Sequence, residues 1–327
     1  MSTSPASLPG WPGEESPFHA GEMALQARAG LRERIEQVGR KVIRDFMPAQ
    51  HRELFAQLPL LVAGSVDGFG RPWASLLCGP AGFVSSPDAR CLRVQALPEA
   101  DDPLSGQLAV DARLGLLGIQ LETRRRNRMN GRVARLDGSG FTVAVRESFG
   151  NCPQYIQARE PRWLSAAEGQ ARRAPARPEG PRLSAEAQAL VQRADTLFIA
   201  SAAPGAGADV SHRGGRPGFV AIAGDGRGSV LSLPDYRGNF LFNTLGNLLL
   251  WPHAGLLFPD FDSGGLLQLT GRTEIVWDGP EVETRPGAQS LLRFHVEQGV
   301  WRPGALPLSW SAAQWAPQLQ ALKEAAA

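Results

Sequence analysis

The sequence predicts a mainly β protein with some α, built as two tandem copies of a small barrel or sandwich with flanking helices, and two observations carry that expectation. First, short apolar or alternating runs such as "LPLLVAGSV", "RLGLLGIQLET", "DTLFIASAA" and "LLQLTGRTEIVW" are separated by Gly, Pro, Asp and Ser. That punctuation is typical of antiparallel sheets closed into small units. Second, the sequence echoes itself. "LLVAGSVDGFGRPWASLLCGPAGFV", ending at Val84, is matched by "LFIASAAPGAGADVSHRGGRPGFV", ending at Val220, which sets Gly82 opposite Gly218 (218 − 82 = 136). Further on, "LGLLGI" matches "AGLLFP" and "NGRV" matches "TGRT", which sets Gly115 opposite Gly255 (255 − 115 = 140) and Gly131 opposite Gly271 (271 − 131 = 140). Anchors kept in order with so little drift read as a tandem duplication.

The elements follow in order. Residues 1–50 form an amino-terminal extension whose stretch "GEMALQARAGLRERIEQVGRKVIRDFM" has a helical pattern, and residues 51–165 make the first repeat. "EGQARRAPARPEGPR" lacks an apolar period and is rich in Arg, Pro, Ala and Gly, so residues 166–183 read as an exposed linker. Residues 184–327 form the second repeat. Ser184 is placed to cap a helix over "AEAQALVQ", another helix is expected in "NFLFNTLGNLLLW", and "SAAQWAPQLQALKEAAA" reads as a terminal helix.

Composition excludes several classes. A chain of 327 residues with 43% hydrophobic and 20% charged residues can bury a sizeable core, and a net charge of +2 supplies no general drive toward nucleic acid or membrane. Cys78, Cys91 and Cys152 are widely spaced with no CxxC pair, so neither a zinc site nor a disulfide framework is expected. The start "MSTSPASLPGWPGEESPF" has no basic segment followed by an apolar run, and the Leu245–Leu250 stretch is too short to span a bilayer. A cytoplasmic protein is expected. No hydrolase elbow, Walker loop or HExxH is present, and "GAGAD" with "RGGRPG" lacks the βαβ context of a dinucleotide loop.

One turn has the chemistry of an anion site. In "DYRGNFLFNTLGN", Arg237 offers a planar fork, Gly238 allows close backbone approach, Asn239 can donate an amide N–H, and the following helix brings free N–H groups. The alternative is a solvated turn in which Arg237 pairs with Asp235. The matching place in the first repeat, "QALPEADDPLSGQL", carries Glu99, Asp101 and Asp102, which would repel a phosphate. The basic run "ETRRRNRMNG" puts Arg124, Arg126 and Arg128 on one face of an alternating strand and Arg125 and Asn127 on the other. One face could look into a crevice, or the whole run could be a solvated edge that discourages aggregation. In "SFGNCPQYIQ", Asn151 to Pro153 suggest a tight turn, Tyr155 and Gln157 alternate onto one face that could line the cleft, and Cys152 has no local partner to activate it except Arg159.

Several of these strings resemble one family. "DVSHRGGRPGFV", "LSLPDYRGNFLFNTLGNLLLWPHAGLLF", "GRPWASLLCGPAGFV" and above all "SFGNCPQYIQARE" are similar to the pyridoxamine 5′-phosphate oxidase-related flavoproteins of the FMN-binding split-barrel fold, in their long two-barrel subgroup. The resemblance spans roughly residues 18–277. It implies a pseudo-dimer of two split barrels on one chain, FMN as cofactor in the crevice between them, and oxidoreductase chemistry between a donor such as NAD(P)H and a small acceptor. It further implies that Ser211, Arg213, Asp235, Tyr236, Arg237, Gly238, Asn239 and Asn243 hold the cofactor, with Arg126 and Asn127 reaching across from the first repeat. One FMN per chain, a homodimer and a separate reductase partner are compatible with it. The alternative within the same fold is a non-catalytic protein that binds flavin or haem, the latter needing an axial ligand from His212, His253 or His295.

Overall fold

The structure is a computed structural model that describes residues 8–224 and 226–320. Three helices lead in: α1 (Ala20–Arg28), α2 (Arg32–Val42) and α3 (Ala49–Gln57). The single long helix expected here is broken after α1, where Gly30 takes φ +68, a conformation that glycine adopts without steric cost. The His19 ring caps α1 by accepting from the Gly21 N–H, and Glu22 accepts from the His19 N–H in return.

The first sheet contains β1 (Leu60–Val66), β2 (Pro72–Cys78), β3 (Val84–Ser85), β4 (Cys91–Val94), β5 (Arg113–Gln120), β6 (Arg125–Asp137) and β7 (Gly140–Asn151). The chain continues through β8 (Pro161–Trp163), α4 (Ala166–Arg172), β9 (Arg177–Glu179) and α5 (Ala185–Arg193). It then builds β10 (Thr196–Ala203), β11 (Gly207–Gly214), β12 (Ala221–Gly224), β13 (Ser229–Tyr236), α6 (Asn243–Leu250), β14 (His253–Pro259), β15 (Leu266–Val276), α7 (Pro280–Glu283), β16 (Ala288–Arg302) and β17 (Leu308–Trp310). The antiparallel orders are β2-β1-β5-β6-β7-β4-β3 and β11-β10-β14-β15-β16-β13-β12, with β9 added on β16 and β17 paired with β8. Both sheets therefore share one connectivity.

Equivalent irregularities recur in both. Each sheet has a register shift just before a glycine, at Asn130/Gly131 and at Thr270/Gly271. A Cβ on Gly131 would lie 2.1 Å from the Ala144 carbonyl oxygen, and one on Gly271 would lie 2.1 Å from that of His295. These bulges admit only glycine.

Side-chain alternation explains the near-continuous apolar runs. Along β1, Leu61 and Ala63 enter the first sheet's own core while Leu60 and Val62 enter a second core shared by both sheets. Along β10, Leu197 and Ile199 turn inward while Phe198 and Ala200 join the shared core. Strands buried on both faces must be apolar at every position. The halves approach closely at two of the anchoring glycines. A Cβ on Gly115 would lie 2.5 Å from the Ala208 carbonyl oxygen, and one on Gly255 would lie 2.6 Å from that of Pro72.

The segment between the sheets, residues 166–183, is mostly exposed, and it carries regular elements that its composition did not suggest. Ser165 and Glu168 make a reciprocal capping box for α4. Strand β9 pairs with β16, and Glu179 is buried where it accepts from the Ser184 N–H and hydroxyl. Local capping and one edge pairing order a stretch whose composition has no apolar period. Of the expected terminal helix, residues 317–320 are helical and the rest lies outside the described residues. No helix among the described residues is long and apolar enough to cross a membrane.

His51 ties α3 to β7 through a 2.9 Å bond between its Nδ1 and the Ser148 hydroxyl. Burial, then Arg44 and Arg125, lower its pKa to about 4. The folded state thus disfavours the imidazolium, so its stabilising contribution is complete above about pH 6.5 and is lost as pH falls toward 4. Urea unfolding of the wild type should show a loss of about 3 kcal/mol over that window that His51→Gln does not show. Parallel pH dependence in the two proteins would refute this assignment.

Candidate functional site

A cleft between the halves gathers the ends of β6 and β7 from one side and β11, the β13–α6 turn and the start of α6 from the other. It encloses about 100 Å³. Register places its first wall: β6 pairs Arg126 with Asn151 and Arg128 with Phe149 on β7, so alternation aims Arg126 and Arg128 the same way.

Arg126 is held by its Nε donating to the Cys152 carbonyl oxygen at 2.8 Å, and its Nη1 lies 3.2 Å from His212 Nδ1. An arginine only donates, so Nδ1 of His212 is the acceptor and its hydrogen sits on Nε2. That agrees with the pKa of His212, which burial, then Arg126 and Arg213, hold well below the ordinary histidine value. The ring is neutral, and its buried Nε2 has no partner among the described residues. Arg128 donates from Nη2 to the Val210 carbonyl oxygen at 3.0 Å and to the Ser211 hydroxyl, while Nη1 lies 3.2 Å from the Asp209 carboxylate. Arg213 pairs with Asp235 at 3.1 Å, and burial raises the Asp235 pKa against the lowering pull of that arginine.

The opposite wall is the start of α6. Phe240 and Phe242 take φ +60 and +61, left-handed values that are rare for bulky residues. This turn shortens the expected helix to Asn243–Leu250. Phe242 occupies the N-cap position, and no side chain caps the helix. The first N–H groups of a helix have no partner within it and carry its positive end. Here they border the cleft. Thr244 donates its hydroxyl to Ser211 at 3.1 Å, and the Asn239 carbonyl of the side chain accepts from the Leu241 N–H at 3.2 Å.

Behind Arg128 lies a buried polar group. Asp209 accepts from Asn130 at 2.5 Å and from Asn247 at 2.9 Å, and Glu22 accepts from Asn243 at 2.6 Å. Burial, then Asp209 and Glu147, push the Glu22 pKa well above the ordinary carboxylate value. These contacts anchor Arg128 and the first residue of α6 from the rear.

Of the ten residues assigned from the sequence, Ser211, Arg213, Asp235, Tyr236, Gly238, Asn239, Asn243 and Arg126 line the cleft. Arg237 and Asn127 do not. The Arg237 guanidinium stands 5.4 Å from the centre of the Phe240 ring, and its carbonyl oxygen accepts from Tyr155 at 3.3 Å. Asn127 follows Arg126 on β6 and so faces the other way, toward Gly150.

Arg128, Thr244, Asn151 and Cys152 also line the cleft. Of these, alternation had set Arg128 on the same face as Arg126 without assigning it to the cofactor. The "GNCPQYIQ" string belongs here too: Tyr155 stacks on Tyr236 with centroids 5.1 Å apart. Gln157, expected to share its face, is instead buried, donating to the Tyr155 carbonyl oxygen and accepting from the Ala316 N–H at 2.9 Å. His253 stacks on Trp251, and His295 lines a separate cavity, so neither borders this cleft. Among the described residues no cluster of three or more His, Cys, Asp or Glu is arranged to hold a metal ion.

No protein-family model and no curated protein matches the chain. Among solved structures it is similar to HupZ of Group A Streptococcus, at 13% identity over 35% of this chain and 90% of that one, with TM-score 0.29. It is also similar to HutZ, the heme storage protein of Vibrio cholerae, at 16% identity over 37% and 95%, with TM-score 0.26. A third is a pyridoxamine 5′-phosphate oxidase-related, FMN binding protein from Nostoc punctiforme, at 10% identity over 41% and 99%, with TM-score 0.25. Likenesses at these scores leave the ligand of this chain to its own chemistry.

Proposed function

We propose that the cleft holds the phosphate of FMN and that the chain is an FMN-dependent oxidoreductase passing reducing equivalents from a donor such as NAD(P)H to a small acceptor. The observation that carries this reading is the uncapped start of α6 facing Arg126, Arg128 and Arg213 beside the Ser211 and Thr244 hydroxyls. A dianion would accept from the free donors of this set together. The residues fit the group: Arg128 Nε and the amide nitrogen of Asn151 are buried without a hydrogen-bond partner among the described residues. The volume of about 100 Å³ suits a phosphate rather than a three-ring system, so a bound FMN would place its phosphate end inside.

The shared connectivity and the paired bulges at Gly131 and Gly271 support a tandem duplication, with the cleft as the crevice of a pseudo-dimer. FMN, when bound, supplies reversible hydride acceptance. The chain's own residues fix the phosphate end, hold His212 neutral against Arg126 and keep water from the buried side of the cleft.

The test is direct. Purified protein should carry, or take up, one FMN per chain and bind riboflavin at least tenfold more weakly, because riboflavin lacks the phosphate. A colourless protein that binds neither would end the flavin reading, and a haem spectrum would redirect it to the histidines. Reduction of the bound flavin by NADH or NADPH, followed by multiple turnovers, separates an oxidoreductase from a binding protein. Arg237→Ala should change FMN affinity by less than about threefold, under 1 kcal/mol, since its guanidinium packs on Phe240 outside the cleft. A larger loss would return that residue to the phosphate site.

A further inference from the structure

The two halves together build a counterpart of this cleft, and it is already full. Strand pairing fixes the correspondence. β1 sets Ala63 against Ser75 as β10 sets Ile199 against Ser211. β5 sets Leu117 against Arg128 as β14 sets Leu257 against Gln268. β6 sets Arg126 against Asn151 as β15 sets Leu266 against Arg302. Ser75, Gln268 and Arg302 therefore stand where Ser211, Arg128 and Asn151 stand in the open cleft.

The hydrogen bonds repeat as well. Arg128 donates to the Val210 carbonyl oxygen and the Ser211 hydroxyl. Gln268 donates to the Ala74 carbonyl oxygen at 2.9 Å and the Ser75 hydroxyl at 3.2 Å. After β4 the chain makes a short helical turn, Pro103–Gly106, as after β13 it makes α6. The two N-caps differ in one respect. Phe242 brings no acceptor to α6, whereas Asp102 accepts from the Leu104 N–H at 2.9 Å.

The same Asp102 carboxylate accepts from Ser75 at 2.5 Å, from Arg302 at 2.9 Å and from Gln268 at 3.3 Å. Asp102 and Arg302 are each 3% exposed, and Ser75 and Gln268 are fully buried. Glu99 and Asp101 add a second layer on Arg302 at 2.7 and 2.9 Å. A turn N–H, a serine hydroxyl, an amide and a guanidinium thus converge on one oxyanion that belongs to the chain itself.

We propose that this is a second oxyanion seat occupied by the chain's own Asp102 carboxylate, so that the protein offers one open seat for a phosphate or carboxylate where its repeated architecture builds two. Asp102 is the residue that sets ligand stoichiometry. Removing it exposes a seat for a small oxyanion, formate or inorganic phosphate. The inference rests on reading the open cleft as an anion seat, and the experiment separates the two.

Full-length Asp102→Ala is compared with wild type by thermal melting and by equilibrium dialysis against labelled inorganic phosphate, with chloride at matched ionic strength. Wild type should bind one phosphate per chain and Asp102→Ala two. Saturating phosphate or formate should raise the melting temperature of the variant by roughly 5 °C more than that of wild type. In an Arg126→Ala background only the new seat should remain. A folded Asp102→Ala that binds no additional anion and gains no extra stability overturns the proposal. If the variant does not fold in chloride, refolding yield becomes the readout, and equal yields in chloride, formate and phosphate overturn it. Failure of the open-cleft reading is distinct: wild type would bind no phosphate, or would bind it unaffected by Arg126→Ala.

Discussion

Replacing Arg126 by alanine is expected to weaken FMN binding by about 10- to 150-fold, the equivalent of losing one charge-assisted hydrogen bond of about 1.5–3 kcal/mol. Riboflavin binding should hardly change. Arg126 is suited to this separation because it makes no ion pair among the described residues; its donors go to the Cys152 carbonyl oxygen and to neutral His212. Removing it lifts the cost of burying its charge, which already depresses its own pKa. The urea midpoint should therefore move little. Arg128 would not give so clean a result, since its loss strands the Asp209 carboxylate that it faces. Titration of FMN against wild type and Arg126→Ala, with riboflavin in parallel, decides the matter. Equal FMN affinity in a folded variant would remove this cleft from phosphate binding.

A large loss of stability is expected from a side chain at either of two glycines between the halves, Gly115→Val or Gly255→Val. Each new Cβ meets backbone of the opposite half: 2.6 Å from Asp209 Cα in the first case and 2.6 Å from Trp73 Cα in the second. Backbone in a paired strand cannot rotate away as a flexible side chain can. Overpacking costs about 1–3 kcal/mol, and a branched side chain should reach the upper end. Gly138→Ala is the control, since nothing lies within 4 Å of its Cβ position. Both valine variants should also lose FMN, because Arg126 and Arg128 come from one half while Ser211 and the start of α6 come from the other. Unfolding midpoints equal to that of Gly138→Ala would show that the halves can separate at no cost.

Much of the fold was legible because its causes are local and periodic. The runs around Leu61 and Leu197 read as strands, and their lack of polar alternation is explained by burial on both faces. The anchors Gly115 and Gly255 stood out in the sequence, and their role as points of contact between halves emerged only when the strands were placed against each other. Ser184 caps α5 as its sequence position suggests, accepting from the Ala187 N–H. By contrast, β9 was invisible, since three residues joining an existing edge need no pattern of their own.

At the site, the chemical types and elements of both walls were legible in the sequence: the turn after β13, the segment of Ser211 to Arg213, and an arginine strand from the other half. Tertiary structure decided which of them meet. Its place in the turn makes Arg237 the expected anion fork, but the left-handed residues Phe240 and Phe242 fold that turn so that its guanidinium packs on a ring while the helix start faces the cleft. Arg128 and Asn127 are neighbours in sequence, yet alternation puts only the former in the cleft. The acids at Glu99, Asp101 and Asp102, read as repelling an anion, close on Arg302 some two hundred residues away. A sequence states which charges a chain carries, but the energy of a buried charge depends on its nearest partner and on the exclusion of water, and both are set by strands distant in the chain.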